Sequence, residues 1–380
     1  MSGGCDKAGF SVDTSKKCTF FFTFPDVAAG GYTAAMSATI RVGVIGVGAL
    51  GKEHARIYAE LAAAGPVALS GVYDTHAETS QRVAAKCGTR AFGSPDEAAA
   101  ACDALSLVTP THTHFSLARS LLAQGKHLLI EKPMTDDAGQ AAELVQLARQ
   151  QRCVLQVGHV ERFNPVFQYL QRVATEPRFI EAHRLSPYPA RSTDIGVVLD
   201  LMIHDLDVVL AFVKSPVVAL DAVGVPVLSR SEDIANARLR FANGCVANLT
   251  ASRVSPERLR KIRVFSGGAT PSYVSLDYRA QEGYLYRIAR AEELESSLFQ
   301  KLLAGKEATL VSEFGGKRIV REPVPLAKDE PLKLELQSFL ECVRERRSPL
   351  VSGEAAVRAL DLAFEISRQI QTPMAAANLK

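Results

Sequence analysis

The chain has 380 residues, of which 47% are hydrophobic and 22% charged, a balance that excludes a disordered protein and supplies a large core. Lys and Arg number 44 against 41 Asp and Glu, Trp is absent, and no basic stripe is interleaved with aromatics, so nucleic acid is not an expected partner. No apolar run reaches the roughly 18 residues of a membrane span, and seven scattered cysteines without a C-x-x-C spacing oppose a disulfide framework or zinc cage and favour a reducing, cytoplasmic setting.

Residues 1–38 show no sustained period and hold two double glycines. Lys16-Lys17 followed by Phe20-Phe21-Phe22 hints at a signal segment, but Pro25-Asp26 cuts it short and it starts far from Met1. We expect a disordered extension over 1–38, with Met36 an alternative start. Regular patterning begins at Thr39. Ile40–Ile45 is a β-branched run that predicts a buried strand, followed by a helix over 50–64, a strand over 67–73 and a helix over 77–87. Strands are predicted over 104–108, 127–130 and 153–157, with helices over 115–123 and 138–150 between them. Such alternation predicts a parallel sheet covered on both faces, a domain over 39–158.

The pattern then changes. One apolar helix is expected over 197–212, followed by extended runs over 217–228, 233–241, 245–254, 259–265, 273–278, 283–288 and 308–313. Several alternate apolar and polar residues, as in Ala235-Asn236-Ala237-Arg238-Leu239-Arg240-Phe241, which predicts a largely antiparallel open sheet with one covered face. Helices return over 332–346 and 354–371, closing a second α/β domain over 159–372.

Gly46-Val47-Gly48-Ala49-Leu50-Gly51 stands between the first strand and first helix as G-x-G-x-x-G. In that context the glycines allow a tight turn, close approach of a pyrophosphate, and close helix–strand packing, while the helix N-terminus offers N–H groups to the phosphates. Asp74 ends the second strand where a carboxylate accepts from both ribose hydroxyls, and no Arg follows in Thr75-His76-Ala77. That combination favours NAD over NADP.

Three further segments carry candidate chemistry. Glu131-Lys132-Pro133 follows a strand at the sheet's carboxyl edge, where ligands bind, and the Lys132 ammonium there suits an oxygen that gains negative charge. A surface Glu–Lys pair is the alternative. Asp200 and His204 lie four apart on the apolar helix, an acid–imidazole pair fit for a positioned general base, or else a surface ion pair. A second histidine ligand is missing from that helix, so no metal is expected. Thr109-Pro110-Thr111-His112-Thr113-His114 follows the strand over 104–108, its histidines open to lining the cofactor or to holding a metal.

Together these motifs resemble the Gfo/Idh/MocA family, over about residues 40–370. The carriers are the Gly46/Gly48/Gly51 loop, the Thr109-Pro110 loop ending in His114, Glu131-Lys132-Pro133, and Asp200-x-x-x-His204. The resemblance implies a Rossmann domain, then an α/β domain whose open sheet forms a homodimer or homotetramer. It also implies NAD bound by these loops, with Lys132, Asp200 and His204 around the reacting carbinol. Gly196-Val197-Val198 departs from the paired glycines common before this helix.

Within the family, Gly158-His159-Val160-Glu161-Arg162-Phe163-Asn164-Pro165 and Glu181-Ala182-His183-Arg184-Leu185-Ser186-Pro187 are similar to a group that oxidises C3 of UDP-N-acetylglucosamine on the way to lipid A. That similarity implies a nucleotide-sugar substrate, with Arg162, Asn164, Arg184, Arg191 and Arg253 as candidates to meet its diphosphate or sugar. Inositol, a uronic-acid sugar nucleotide, and a non-catalytic NAD sensor are the other readings.

Overall fold

A computed structural model describes residues 39–188, 195–268, 270–289 and 309–377. The extension over 1–38 and Arg191 lie outside the described residues. The first half alternates as expected: β1 (Ile40–Ile45), α1 (Gly51–Ala64), β2 (Val67–Tyr73), α2 (Ala77–Cys87), α3 (Pro95–Ala101), β3 (Ala104–Leu107), α4 (Thr111–Ala123), β4 (His127–Glu131), α5 (Ala138–Gln150) and β5 (Leu155–Gly158). These five strands form one parallel sheet in the order β2-β1-β3-β4-β5. The residues of β3, β4 and β5 are all buried, as a sheet covered on both faces requires.

A 3₁₀ turn (Val160–Phe163) and α6 (Pro165–Val173) lead into β6 (Pro177–Leu185). The predicted helix over 197–212 is two pieces, a π-turn at Val198–Met202 and α7 (Ile203–Val213). Seven strands follow, β7 (Val217–Val225), β8 (Ile234–Phe241), β9 (Val246–Ser252), β10 (Leu259–Ser266), β11 (Ser272–Asp277), β12 (Glu282–Ile288) and β13 (Thr309–Phe314), then β14 (Lys317–Pro323), α8 (Pro331–Glu345) and α9 (Gly353–Ala377). The second sheet has nine strands ordered β13-β14-β12-β11-β10-β6-β9-β8-β7, and only its β6–β9 pair is parallel. Strand β6 escaped the sequence reading because its buried row, Ile180, Ala182 and Arg184, ends in a charge that breaks the apolar alternation.

Burial follows the alternation. Ala235, Ala237, Leu239 and Phe241 of β8, with Ile262 and Val264 of β10, face a core that includes Leu206 and Val209 of α7 and Leu360, Ala363 and Ile366 of α9. That core runs on without a break into Leu105, Leu128 and Ile130 of the first sheet. Leu336, Phe339 and Leu340 of α8 return instead to the first sheet, packing with Val42 and Val44 of β1 and Ile57 and Tyr58 of α1. The uncovered face of the second sheet carries an aromatic row, Phe179, Phe265, Tyr273 and Tyr286, with neighbouring ring centroids 4.4–5.9 Å apart.

Candidate active site

The glycine loop has the shape its sequence demands. Gly46 sits at φ +86°, and a Cβ there would lie 2.6 Å from the Val108 carbonyl oxygen. At Gly51 a Cβ would meet the Gly46 carbonyl oxygen at 1.8 Å, whereas one at Gly48 would meet nothing within 4 Å. The first and last glycines therefore close the turn, and the middle one faces open space. Asp74 accepts from the Val47 N–H at 2.9 Å and the His76 N–H at 3.0 Å, which sets its carboxylate beside the turn. Backbone N–H groups, a helix start and an adjoining carboxylate fit the pyrophosphate and adenosine ribose of NAD.

The loop after β3 closes on the same edge. Thr109 lies against Gly46, its side chain 2.8 Å from where a Cβ would stand there. His114 is buried, with Nε2 2.8 Å from the Thr109 carbonyl and Nδ1 3.1 Å from the Pro133 carbonyl. It joins the Thr109-Pro110 loop to the loop after β4. Among the described residues no three His, Cys, Asp or Glu side chains converge as a metal site would need. His112 is exposed.

Lys132 reaches from that second loop to the other sheet's helix. Its Nζ donates to the Asp200 carbonyl at 2.5 Å and to Asp200 Oδ1 at 3.2 Å. Glu131 accepts from the Lys132 N–H and lies 3.1 Å from Nε2 of buried His54, behind the ammonium. The expectation that Asp200 orients His204 is corrected. Asp200 serves Lys132 instead, and His204 Nδ1 is buried without a hydrogen-bond partner among the described residues. Position 200 lies in the π-turn ahead of α7, and there the Lys132 ammonium takes up both its carboxylate and its carbonyl.

His204 stays next to the ammonium. Burial first, and then the charges of Lys132, Arg184, His159 and Arg260, hold its pKa well below the ordinary imidazole value. The ring is therefore neutral near pH 7, the form able to accept a proton. His159 packs edge-on against it, centroids 6.1 Å apart. The sequence carries His159 only within the Gly158–Pro165 segment, without a role, although its place just after β5 at the carboxyl edge marks it.

Three arginine expectations and one asparagine expectation are corrected. Arg184 is buried, donating bidentately to Asp205 at 2.9 Å and to Glu161 at 3.0 Å. Arg253 is buried against Asp233 at 2.7 Å and donates to the Ile195 carbonyl. Arg162 pairs with Asp207 at 3.3 Å and donates to the Leu350 carbonyl. Asn164 caps α6 through the Val166 N–H and donates to Glu161 and the Tyr278 carbonyl. Apart from Arg162 Nε, which is buried without a hydrogen-bond partner among the described residues, the polar groups named here are engaged inside the protein and not offered to a ligand.

Comparison with known proteins agrees with this geometry. Residues 40–159 match the Gfo/Idh/MocA oxidoreductase family, NAD-binding Rossmann fold, and residues 173–268 match the Gfo/Idh/MocA C-terminal domain. The chain is 38% identical over 328 residues to the UDP-N-acetylglucosamine 3-dehydrogenase of Acidithiobacillus ferrooxidans, covering 86% of this chain and 96% of that protein.

The chain belongs to the Gfo/Idh/MocA family.

It is accordingly an NAD-dependent dehydrogenase acting on CH–OH groups. A solved structure of the Acidithiobacillus enzyme superposes with a TM-score of 0.77 at 37% identity, covering 87% of this chain and 97% of the other. The NAD-dependent scyllo-inositol 2-dehydrogenase of Bacillus subtilis is 24% identical over 89% of this chain and 96% of its own length. A levoglucosan dehydrogenase at 17% identity shares the fold, with a TM-score of 0.72. Among the described residues no helix is long and apolar enough to cross a membrane.

Proposed function

We propose that this dehydrogenase oxidises C3 of UDP-N-acetylglucosamine to the 3-keto sugar nucleotide, a precursor of lipid A with amide-linked acyl chains. The observation that carries this reading is the 38% identity spanning 96% of an enzyme with that name. The relatives named for inositol are less identical over comparable length or match over shorter stretches.

The site's own residues divide the work. Gly46, Gly48, Ala49, Leu50 and Gly51 hold the pyrophosphate, Asp74 the ribose, and Thr109, Pro110, His114 and Glu131 line the path toward Lys132. NAD, when bound, accepts the hydride. Lys132 Nζ hydrogen-bonds the substrate hydroxyl and stabilises charge on that oxygen as it loses its proton. Asp200 keeps the ammonium in place, and neutral His204 takes the proton through Nε2, because Nδ1 is enclosed. The aromatic row on the uncovered sheet face supports self-association into a homodimer or homotetramer.

The test is NADH formation with UDP-N-acetylglucosamine, myo-inositol, scyllo-inositol and UDP-N-acetylglucosaminuronate, followed by NMR location of the new carbonyl. The reading predicts turnover of the first substrate and a ketone at C3. A ketone elsewhere, or faster turnover of an inositol, defeats it.

A further inference from the structure

The arginines named above are spent inside the protein, yet positive charge remains beside His204. Strand β10 supplies it. Ile262 and Val264 form its buried row, and Arg260 is the next residue of that row toward the strand's start. Arg260 pairs in register with Arg184 of β6, and its carbonyl accepts from the Tyr278 N–H at 2.8 Å, which brings Arg279 alongside.

The carboxylates here are unevenly shared. Asp205 and Glu161 are engaged by Arg184, and Glu161 also accepts from Asn164. Arg260 has only a 3.5 Å approach to the already shared Glu161 Oε1, with 52% of its side chain open. Arg279 is exposed, its guanidinium without an ion pair among the described residues, while Asp277 accepts from the backbone N–H groups of Arg279 and Ala280. Arg184 thus takes up Asp205 and shares Glu161, and neither Arg260 nor Arg279 has a carboxylate of its own among the described residues. Tyr278 Oη is buried in the same row without a hydrogen-bond partner. Burial and the like charges of Arg184 and Arg279 press the Arg260 pKa below its ordinary value despite Glu161 and Asp205. Arg260 is also close enough to His204 to depress the imidazole pKa. A half-open guanidinium with no carboxylate of its own, beside a proton acceptor, is suited to an anionic part of the substrate.

We propose that Arg260 and Arg279 form the anion-binding wall of this site and hold the diphosphate of the nucleotide sugar, an assignment that rests on the nucleotide-sugar reading above. Neither residue belongs to a motif quoted from the sequence. They are neighbours only because β10 and the end of β11 pair.

Calorimetric titration of UDP into the full chain saturated with NADH tests this, since UDP carries the diphosphate and cannot be turned over. UDP binds the unaltered protein, and Arg260→Gln and Arg279→Gln each weaken it by roughly tenfold, the cost of losing a charge-assisted contact. Arg263→Gln, which removes the same charge from the opposite face where Arg263 meets Glu181 at 3.5 Å, leaves UDP affinity unchanged. Exposed Arg279 keeps the test decisive if the Arg260 variant fails to fold. Failure of the unaltered protein to bind UDP, or binding by both arginine variants within about twofold of it, overturns the assignment. Arginine-dependent UDP binding without turnover of UDP-N-acetylglucosamine defeats the C3 reading and leaves the anion wall standing.

Discussion

Lys132 and Asp200 belong to different sheets' supporting loops and helices, and the ammonium of one contacts both the carboxylate and the carbonyl of the other. The pair fixes a cation at the carboxyl edge of the parallel sheet, beside an imidazole that burial and, next, this charge keep neutral. Lys132→Met is expected to lower kcat by roughly 10²–10⁴, the range for loss of a positioned catalytic donor. NAD affinity, measured by quenching or calorimetry, stays near that of the unaltered protein.

The same contact sets a pH dependence. His204 works as a base only when neutral, so kcat/KM rises with pH through its pKa and then levels, with the midpoint below 6.5. Removing the Lys132 charge removes a cause of that lowering, so the acid limb of the residual Lys132→Met activity moves to higher pH. A limb that stays in place or moves down removes His204 as the titrating base.

Gly48 and Gly51 predict opposite failures. A side chain at Gly48 meets nothing in the protein alone, so Gly48→Val leaves Tm essentially unchanged and abolishes NAD binding. At Gly51 the new Cβ would overlap the Gly46 carbonyl, so Gly51→Val lowers Tm before any ligand is added. Thermal melts with and without NAD separate the two.

How far the sequence was legible follows from the range of each interaction. The glycine loop, the strand–helix alternation and the alternating strands β8 and β9 are local patterns, and they appear where their spacing puts them. The four-residue spacing puts Asp200 and His204 near each other but does not show the competing partner, Lys132, which lies 68 residues away in the chain. Arg184 was taken for a ligand contact because its buried partners, Asp205 and Glu161, lie 21 and 23 residues away and no short motif joins them. Arg260 was missed for the same reason.

Glu335 of α8 predicts a stability effect. It is fully buried, neither carboxylate oxygen has a partner among the described residues, and burial, then Glu131 and Asp207, raise its pKa well above the usual 4.5. The folded protein therefore holds a proton that the unfolded chain releases above about pH 4.5. Its contribution is fully present below that pH and is lost as pH rises toward the folded value. Glu335→Gln should raise Tm, and by more at pH 8 than at pH 5.5; an equal gain at both would contradict a protonated Glu335.

Arg184 separates a structural arginine from a binding one. Arg184→Met leaves Asp205 buried without its cation and Glu161 with only the 3.5 Å approach of Arg260, which costs about 3–5 kcal/mol of stability by denaturant unfolding. Arg260→Gln, half-open at the surface, should change stability little.

The return of α8 to the first sheet bears on how these proteins can be recombined. Phe339 and Leu340 stand against β1 and α1, although about 170 residues of the other half, 159–330, intervene in the chain. A chimera exchanging substrate halves between relatives would need to leave 331–345 with its original glycine loop. Cut instead at Gly158, the retained glycine-loop half would lose the helix its apolar flank is matched to and meet the donor's in its place.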